Sequence, residues 1–130
     1  MQLQQGVRSC KIILFIVNDS TYSGRKNLQR CSFRHQYERR ATARNVDNYL
    51  NLFCFSDAIL CGIAGQNPNE GFNIQQLIDI LAAQGAEIKL CTSCVKARGL
   101  LDAKLIDGVT LGTLDDVSEW TLWADKVLTF

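Results

Sequence analysis

Residues 89–99 read KLCTSCVKARG: Cys91 and Cys94 with two residues between them, followed at once by Lys96, Arg98 and Gly99. A thiolate, not a thiol, is the sulfur nucleophile, and a helix N-terminus or a nearby cation lowers a thiol pKa toward neutrality. A helix starting near Ser93 would aim backbone N–H groups at the Cys91 sulfur, and Lys96 or Arg98 would add positive charge. Cys91 is therefore the expected nucleophile. Cys94, one helical turn on, is its expected partner: it could close a disulfide as a resolving thiol or, if Cys91 becomes a persulfide, attack it and release sulfide. The competing reading is packing, with Cys91 filling the end of a sheet and Cys94 incidental.

A metal site is not expected. A structural zinc takes four ligands, and one Cys-x-x-Cys supplies two. Cys54 and Cys61 are further thiols, but Cys54 falls inside an apolar strand, and the only histidine, His35, lies in a basic segment. Cys61, between a strand end and a glycine-rich stretch, could face Cys91, although packing is its ordinary role. Asp19 and Asp57 can orient a ligand or cap loops by accepting backbone N–H groups. The scattered glycines match neither a dinucleotide fingerprint nor a phosphate loop, and His35 alone makes no Ser-His-Asp triad. No cofactor is expected.

The elements that must position these residues are legible. The continuously apolar, β-branched run Ile12–Val17 reads as a strand covered on both faces, ending at Asn18 and Asp19. Further strands fit 50–55, ending at Ser56 and Asp57, then 87–91, 109–111 and 126–130. Ile74, Leu77, Ile78, Leu81 and Ala82 repeat at helical spacing, with Asn73 as cap and Gly85 as terminator. Thr113 and Asp116 resemble a capping box, and Val117, Trp120, Thr121 and Ala124 make one helical face behind it. That places Trp120 and Trp123 in packing or at a subunit interface. Alternating strands and helices imply an α/β fold, a parallel sheet of about five strands with helices on both faces. Ligands bind beyond the carboxyl ends of such strands, where Asn18, Asp19, Ser56, Asp57 and the cysteines all fall.

With 47% hydrophobic residues and one proline, the 130 residues suit one compact domain, 11–130, behind a tail at 1–10. Fourteen basic and thirteen acidic residues leave a formal charge of +1, so nucleic acid is not an expected partner. The longest apolar run is too short for a membrane span, and the polar Met1–Ser9 does not suit a signal peptide. The cytoplasm is therefore the expected compartment, where six cysteines stay reduced.

One segment resists this scheme. Residues 24–44 hold seven of the fourteen basic residues against one acid, Glu38, and show no apolar helical face where the first crossover helix is due. Phe33 and Tyr37 interleave the charges, but a charge run is ordinarily a solvated surface. Read one nucleotide later, codons for Arg25 to Arg44 permit an amphipathic, charge-balanced helix, and a frame error restored near Asn45 would explain the misfit.

The stretches KIILFIVNDSTYSG, NLFCFSDAILCGIAGQ, CTSCVKARG and the C-terminal LLDAKLIDGVTLGTLDDVSEWTLWADKVLTF resemble the DsrE/DsrF-like family, which includes TusD-type sulfur-relay subunits. The shifted frame also restores a T-Y-N-A-x-R stretch common in such proteins. The resemblance implies a flavodoxin-like sheet, assembly into homo-oligomers, trimers or hexamers, and in some members a cysteine that carries persulfide sulfur. In those members the cysteine follows the central strand and precedes a short helix with a basic residue and glycine. Counting back from Gly99, the match is Cys91, and this chain departs from TusD in adding Cys94. The expected function is thus a sulfur carrier or sulfurtransferase acting with a sulfur donor or acceptor protein, or a thiol/disulfide cycle at the same pair. The pocket would be formed by Asn18, Asp19, Ser56, Asp57, Cys61, Lys96 and Arg98. The alternative is a non-catalytic, oligomeric binding protein whose cysteines are structural.

Overall fold

A computed structural model describes residues 11–19, 48–68 and 73–129, which build an open sheet of five parallel strands. These are β1 (Lys11–Val17), β2 (Asn48–Cys54), β3 (Glu87–Cys91), β4 (Val109–Gly112) and β5 (Lys126–Thr129). They lie in the order β4-β3-β2-β1-β5. A 3-10 helix, Ser56–Gly62, and helix α1, Ile74–Ala83, lie between β2 and β3. Helix α2, Thr92–Ala97, follows β3 directly, and α3, Leu114–Trp123, separates β4 from β5. The α/β architecture is the one expected, and β2 ends at Cys54, so that residue closes the strand instead of sitting inside it. The tail 1–10 and the basic segment 24–44 with its expected first helix lie outside the described residues.

Register explains the two faces. Parallel pairing sets Leu50 beside Ile13, and Leu52 beside both Phe15 and Ile88, a wholly buried apolar row. The next residue along, Phe53, sits beside Ile16 and Lys89 and faces the other way. Progress from β1 to β4 runs in one direction and the return to β5 in the other. Right-handed crossovers therefore put α3 on the face opposite α1. The ring of Trp120 in α3 meets Phe53 edge-on at 6.0 Å, and Lys89 pairs with Asp116 at 3.0 Å, as that handedness requires.

Helix α1 buries Ile74, Leu77, Ile78 and Leu81 beside the 3-10 helix. Asn73 caps it by accepting the Gln76 N–H, and Gly85, at φ +95°, supplies the left-handed exit. Helix α3 opens on a full capping box between Thr113 and Asp116. The Lys89 ammonium and the Thr113 N–H hold the Asp116 carboxyl below its ordinary pKa. Buried Asn51 ties α3 down, donating to the Leu50 carbonyl and accepting the Trp120 indole N–H at 3.3 Å. Yet α3 fully buries none of its own residues, and Leu114, Leu122 and Trp123 are exposed.

Candidate functional site

Strand β3 ends on Cys91, which is also the N-cap of α2. Ile88 and Leu90 anchor the strand in the core and Val95 anchors the helix, so the thiol between them has little freedom. Only 6% of Cys91 is exposed, and its sulfur lies 3.2 Å from the Ser93 hydroxyl. Backbone N–H groups of Ser93 and Cys94 face the same sulfur, short of the alignment of a full cap bond. Burial opposes ionisation, but the Ser93 hydroxyl, the Cys94 thiol and these N–H dipoles outweigh it. The Cys91 pKa is therefore lowered from the ordinary thiol value.

Cys94 is the opposite case. Burial, its hydrogen bond to Cys91 and charge on Cys91 all raise its pKa. The Ser56 N–H, donated to its sulfur at 3.2 Å, and the Arg98 charge offset part of that rise. The pair thus holds one thiol poised to ionise beside one poised to stay protonated.

The end of β2 completes the site. Arg98 donates from Nε to the Asp57 carboxylate at 2.9 Å, with Nη2 at the same distance, and from Nη1 to the Cys94 carbonyl at 3.1 Å. The Ser56 hydroxyl accepts from Nη2 at 3.4 Å. Ser56 has φ +53°, a left-handed conformation uncommon for a residue with a side chain, in the residue whose N–H meets Cys94.

Of the expected site residues, Cys91, Cys94, Ser56, Asp57 and Arg98 come together. Arg98 acts on Cys94 and Asp57. Lys96 is exposed in the last turn of α2 and is not among the groups acting on either sulfur. Asn18 and Asp19 are exposed beyond β1, two strands from β3, roughly 10 Å by strand spacing. Cys61 makes its sulfur contact with Cys54, at 3.3 Å. Sequence reasoning did not single out Ser93, whose signal was only a hydroxyl two positions after Cys91. It also did not anticipate the 3-10 helix, which carries both Ser56 and Cys61. Among the described residues, no three His, Cys, Asp or Glu side chains converge as a metal site would need.

The profile of the DsrE/DsrF-like family matches residues 11–130. The chain belongs to this family. Membership brings a sulfur-related role at the level of the family. Protein YchN of Escherichia coli K12 is 46% identical over 118 residues, spanning 91% of this chain and 97% of that one. The crystal structure of the Escherichia coli YchN protein matches with a TM-score of 0.79 at 44% identity, over 92% of this chain and 99% of that one. An uncharacterised protein of Methanopyrus kandleri is 40% identical over 81 residues, 62% of this chain and 67% of its own length. A protein of unknown function from Methanobacterium thermoautotrophicum, at 12% identity, shares the fold with a TM-score of 0.70 over 92% of this chain and 99% of its own. No helix among the described residues is long and apolar enough to cross a membrane.

Proposed function

We propose that this protein carries sulfane sulfur on Cys91, with Cys94 as the residue that releases or resolves it. The observation that carries this reading is the placement of Cys91 as both the last residue of β3 and the N-cap of α2, with Ser93 and Cys94 on its sulfur. In loading, the Cys91 thiolate attacks the outer sulfur of a donor persulfide; a new S–S bond forms at Cys91 and the donor leaves as a thiolate. In delivery, an acceptor protein's thiolate takes that outer sulfur and Cys91 leaves as the thiolate it began as. In release, the Cys94 sulfur attacks the Cys91 sulfur and expels the outer atom as hydrosulfide, leaving a Cys91–Cys94 disulfide that an external dithiol reduces. A reducing compartment such as the cytoplasm suits this cycle.

A homo-oligomer, a trimer or hexamer, belongs to the same reading, supported by the apolar residues that α3 leaves uncovered. Intact mass spectrometry after incubation with inorganic polysulfide tests the chemistry. Wild type is expected to gain sulfur, Cys91→Ser to gain none, and Cys94→Ser to keep its adduct longer. Adducts that survive Cys91→Ser and vanish in Cys94→Ser would reverse the roles. A wild type that takes up no sulfur from any donor would return the protein to the binding-protein reading.

A further inference from the structure

The sulfur cycle leaves a second thiol pair unused. Cys54, the last residue of β2, is fully buried; Cys61, near the end of the 3-10 helix, is 8% exposed; their sulfurs are 3.3 Å apart. A lone buried cysteine is ordinary packing, but two buried sulfurs in contact need only close to about 2.05 Å to bond. Between them runs the 3-10 helix, whose first residue, Ser56, donates its N–H to Cys94 and whose second, Asp57, holds Arg98. Any bond between these two sulfurs pulls on the segment that holds Cys94.

We propose that Cys54 and Cys61 close to a disulfide in the folded protein when it meets hydrogen peroxide, and that the closure acts through the 3-10 helix to slow Cys94. Cys61, the less deeply buried residue of the two, reacts first: peroxide gives it one oxygen, forming a sulfenic acid and one water. The Cys54 sulfur then attacks the sulfenic sulfur. The S–S bond forms, the S–O bond breaks, and the hydroxyl leaves with the Cys54 proton as a second water. Altogether two thiols lose two protons and two electrons and one peroxide becomes two waters; an external dithiol reverses the bond.

The sulfurs must approach by more than an ångström. Cys54 is paired in register with both Val17 of β1 and Leu90 of β3, so the movement falls on Cys61 and its helix. That draws the Ser56 N–H away from Cys94, removing one of the two influences that favour its thiolate. The consequence for sulfur handling rests on the Cys91–Cys94 reading: with release slowed, a Cys91 persulfide outlives an oxidising episode.

The test uses the full chain carrying Cys91→Ser, treated with hydrogen peroxide under native conditions, alkylated and digested with trypsin. Residues 45–89 form one tryptic peptide containing Cys54 and Cys61 and no other cysteine. This peptide is expected to be two hydrogens lighter and unalkylated, and to gain two alkyl groups if dithiothreitol precedes alkylation. Cys54→Ala is expected to prevent the loss and leave Cys61 open to a sulfenic-acid probe. In the same Cys91→Ser chain, native alkylation of Cys94 by iodoacetamide is expected to slow at least threefold once the bond has formed. Two thiols that survive peroxide until the chain is unfolded, overoxidation of Cys61 without a bond, or pairing of either with Cys94 would overturn the disulfide. An unchanged Cys94 rate would overturn the coupling. Neither arm requires Cys91 to take up sulfur, so loss of this inference and loss of the sulfur-carrier reading show separately.

Discussion

Arg98 and Asp57, 41 positions apart in sequence, meet at 2.9 Å, and the same guanidinium reaches the Cys94 carbonyl. The contact couples the end of β2 to the helix after β3 through a charge that acts on the Cys94 sulfur. Both side chains are partly exposed, so the ion pair contributes at most about 1 kcal/mol to stability. Its value lies in position.

Arg98→Gln is therefore expected to leave the melting temperature almost unchanged and to raise the Cys94 pKa further, because the cation that favours its thiolate is gone. Rates of iodoacetamide alkylation against pH, measured in a Cys91→Ser background, check this. Arg98→Lys keeps the charge without the planar fork and should fall between the two. A midpoint that does not move in Arg98→Gln would show that the guanidinium only braces the loop.

Ser93→Ala removes the hydroxyl from the Cys91 sulfur while putting a good helix former into the first turn of α2. Losing the hydroxyl that favours the thiolate should raise the Cys91 pKa. Near neutral pH its alkylation should slow. The sign for stability follows from the lowered folded pKa. The thiolate's contribution is present above the unfolded pKa and is lost as pH falls through the folded one. Cys94, with its raised pKa, carries the opposite sign, but both chains keep it. Urea midpoints of wild type and Ser93→Ala should thus separate in mildly alkaline buffer and converge in acid.

The strands and the position of Cys91 at a strand end before a helix were readable because each depended on local pattern: apolar runs with turn residues behind them, and two thiols beside a glycine. Asn73 and the Thr113–Asp116 box announced their helices for the same reason. What the chain did not announce was non-local. Nothing in the residues says that the Ser56 N–H points at Cys94, since its left-handed turn lacks the Gly or Asn that normally marks one. Cys61 was read as ordinary packing that could also face Cys91, and the 3-10 helix carries it onto Cys54. The strand order, with β5 beside β1, sets which helix covers which face, and alternation of elements leaves that order open.

Gly62 ends the 3-10 helix where a Cβ would lie 2.8 Å from both Leu90 methyls and 2.9 Å from a Val109 methyl. These side chains belong to a packed sheet face and have little room to yield. Gly62→Ala is expected to destabilise the protein by about 1–3 kcal/mol, the usual cost of overpacking. Because Leu90 precedes Cys91, the same substitution should also disturb alkylation of Cys91. Chemical denaturation gives the first effect, and a stability equal to wild type would mean that β3 and β4 shift more freely than their burial implies.

Among the described residues, helix α3 leaves apolar side chains open that a second copy of the chain is expected to cover. Leu122 is 87% exposed, Leu114 and Trp123 are also open, and Tyr49 and Trp123 line a groove of about 400 Å³ beside Trp120. The groove includes Asn51 and Glu87, at the start of β3, so an assembly through this face leaves the thiols at the other end of the strand accessible. Light scattering of wild type is expected to give a trimer or hexamer. Leu122→Glu, at a position that contributes almost nothing to the protomer's core, should lower the mass while costing less than about 0.5 kcal/mol of folding stability. A wild-type monomer at working concentration would end the assembly proposal, and an unchanged oligomer in Leu122→Glu would move the interface away from α3. Cys91 alkylation should be the same in both chains, because the described groups on its sulfur, Ser93 and Cys94, come from its own protomer.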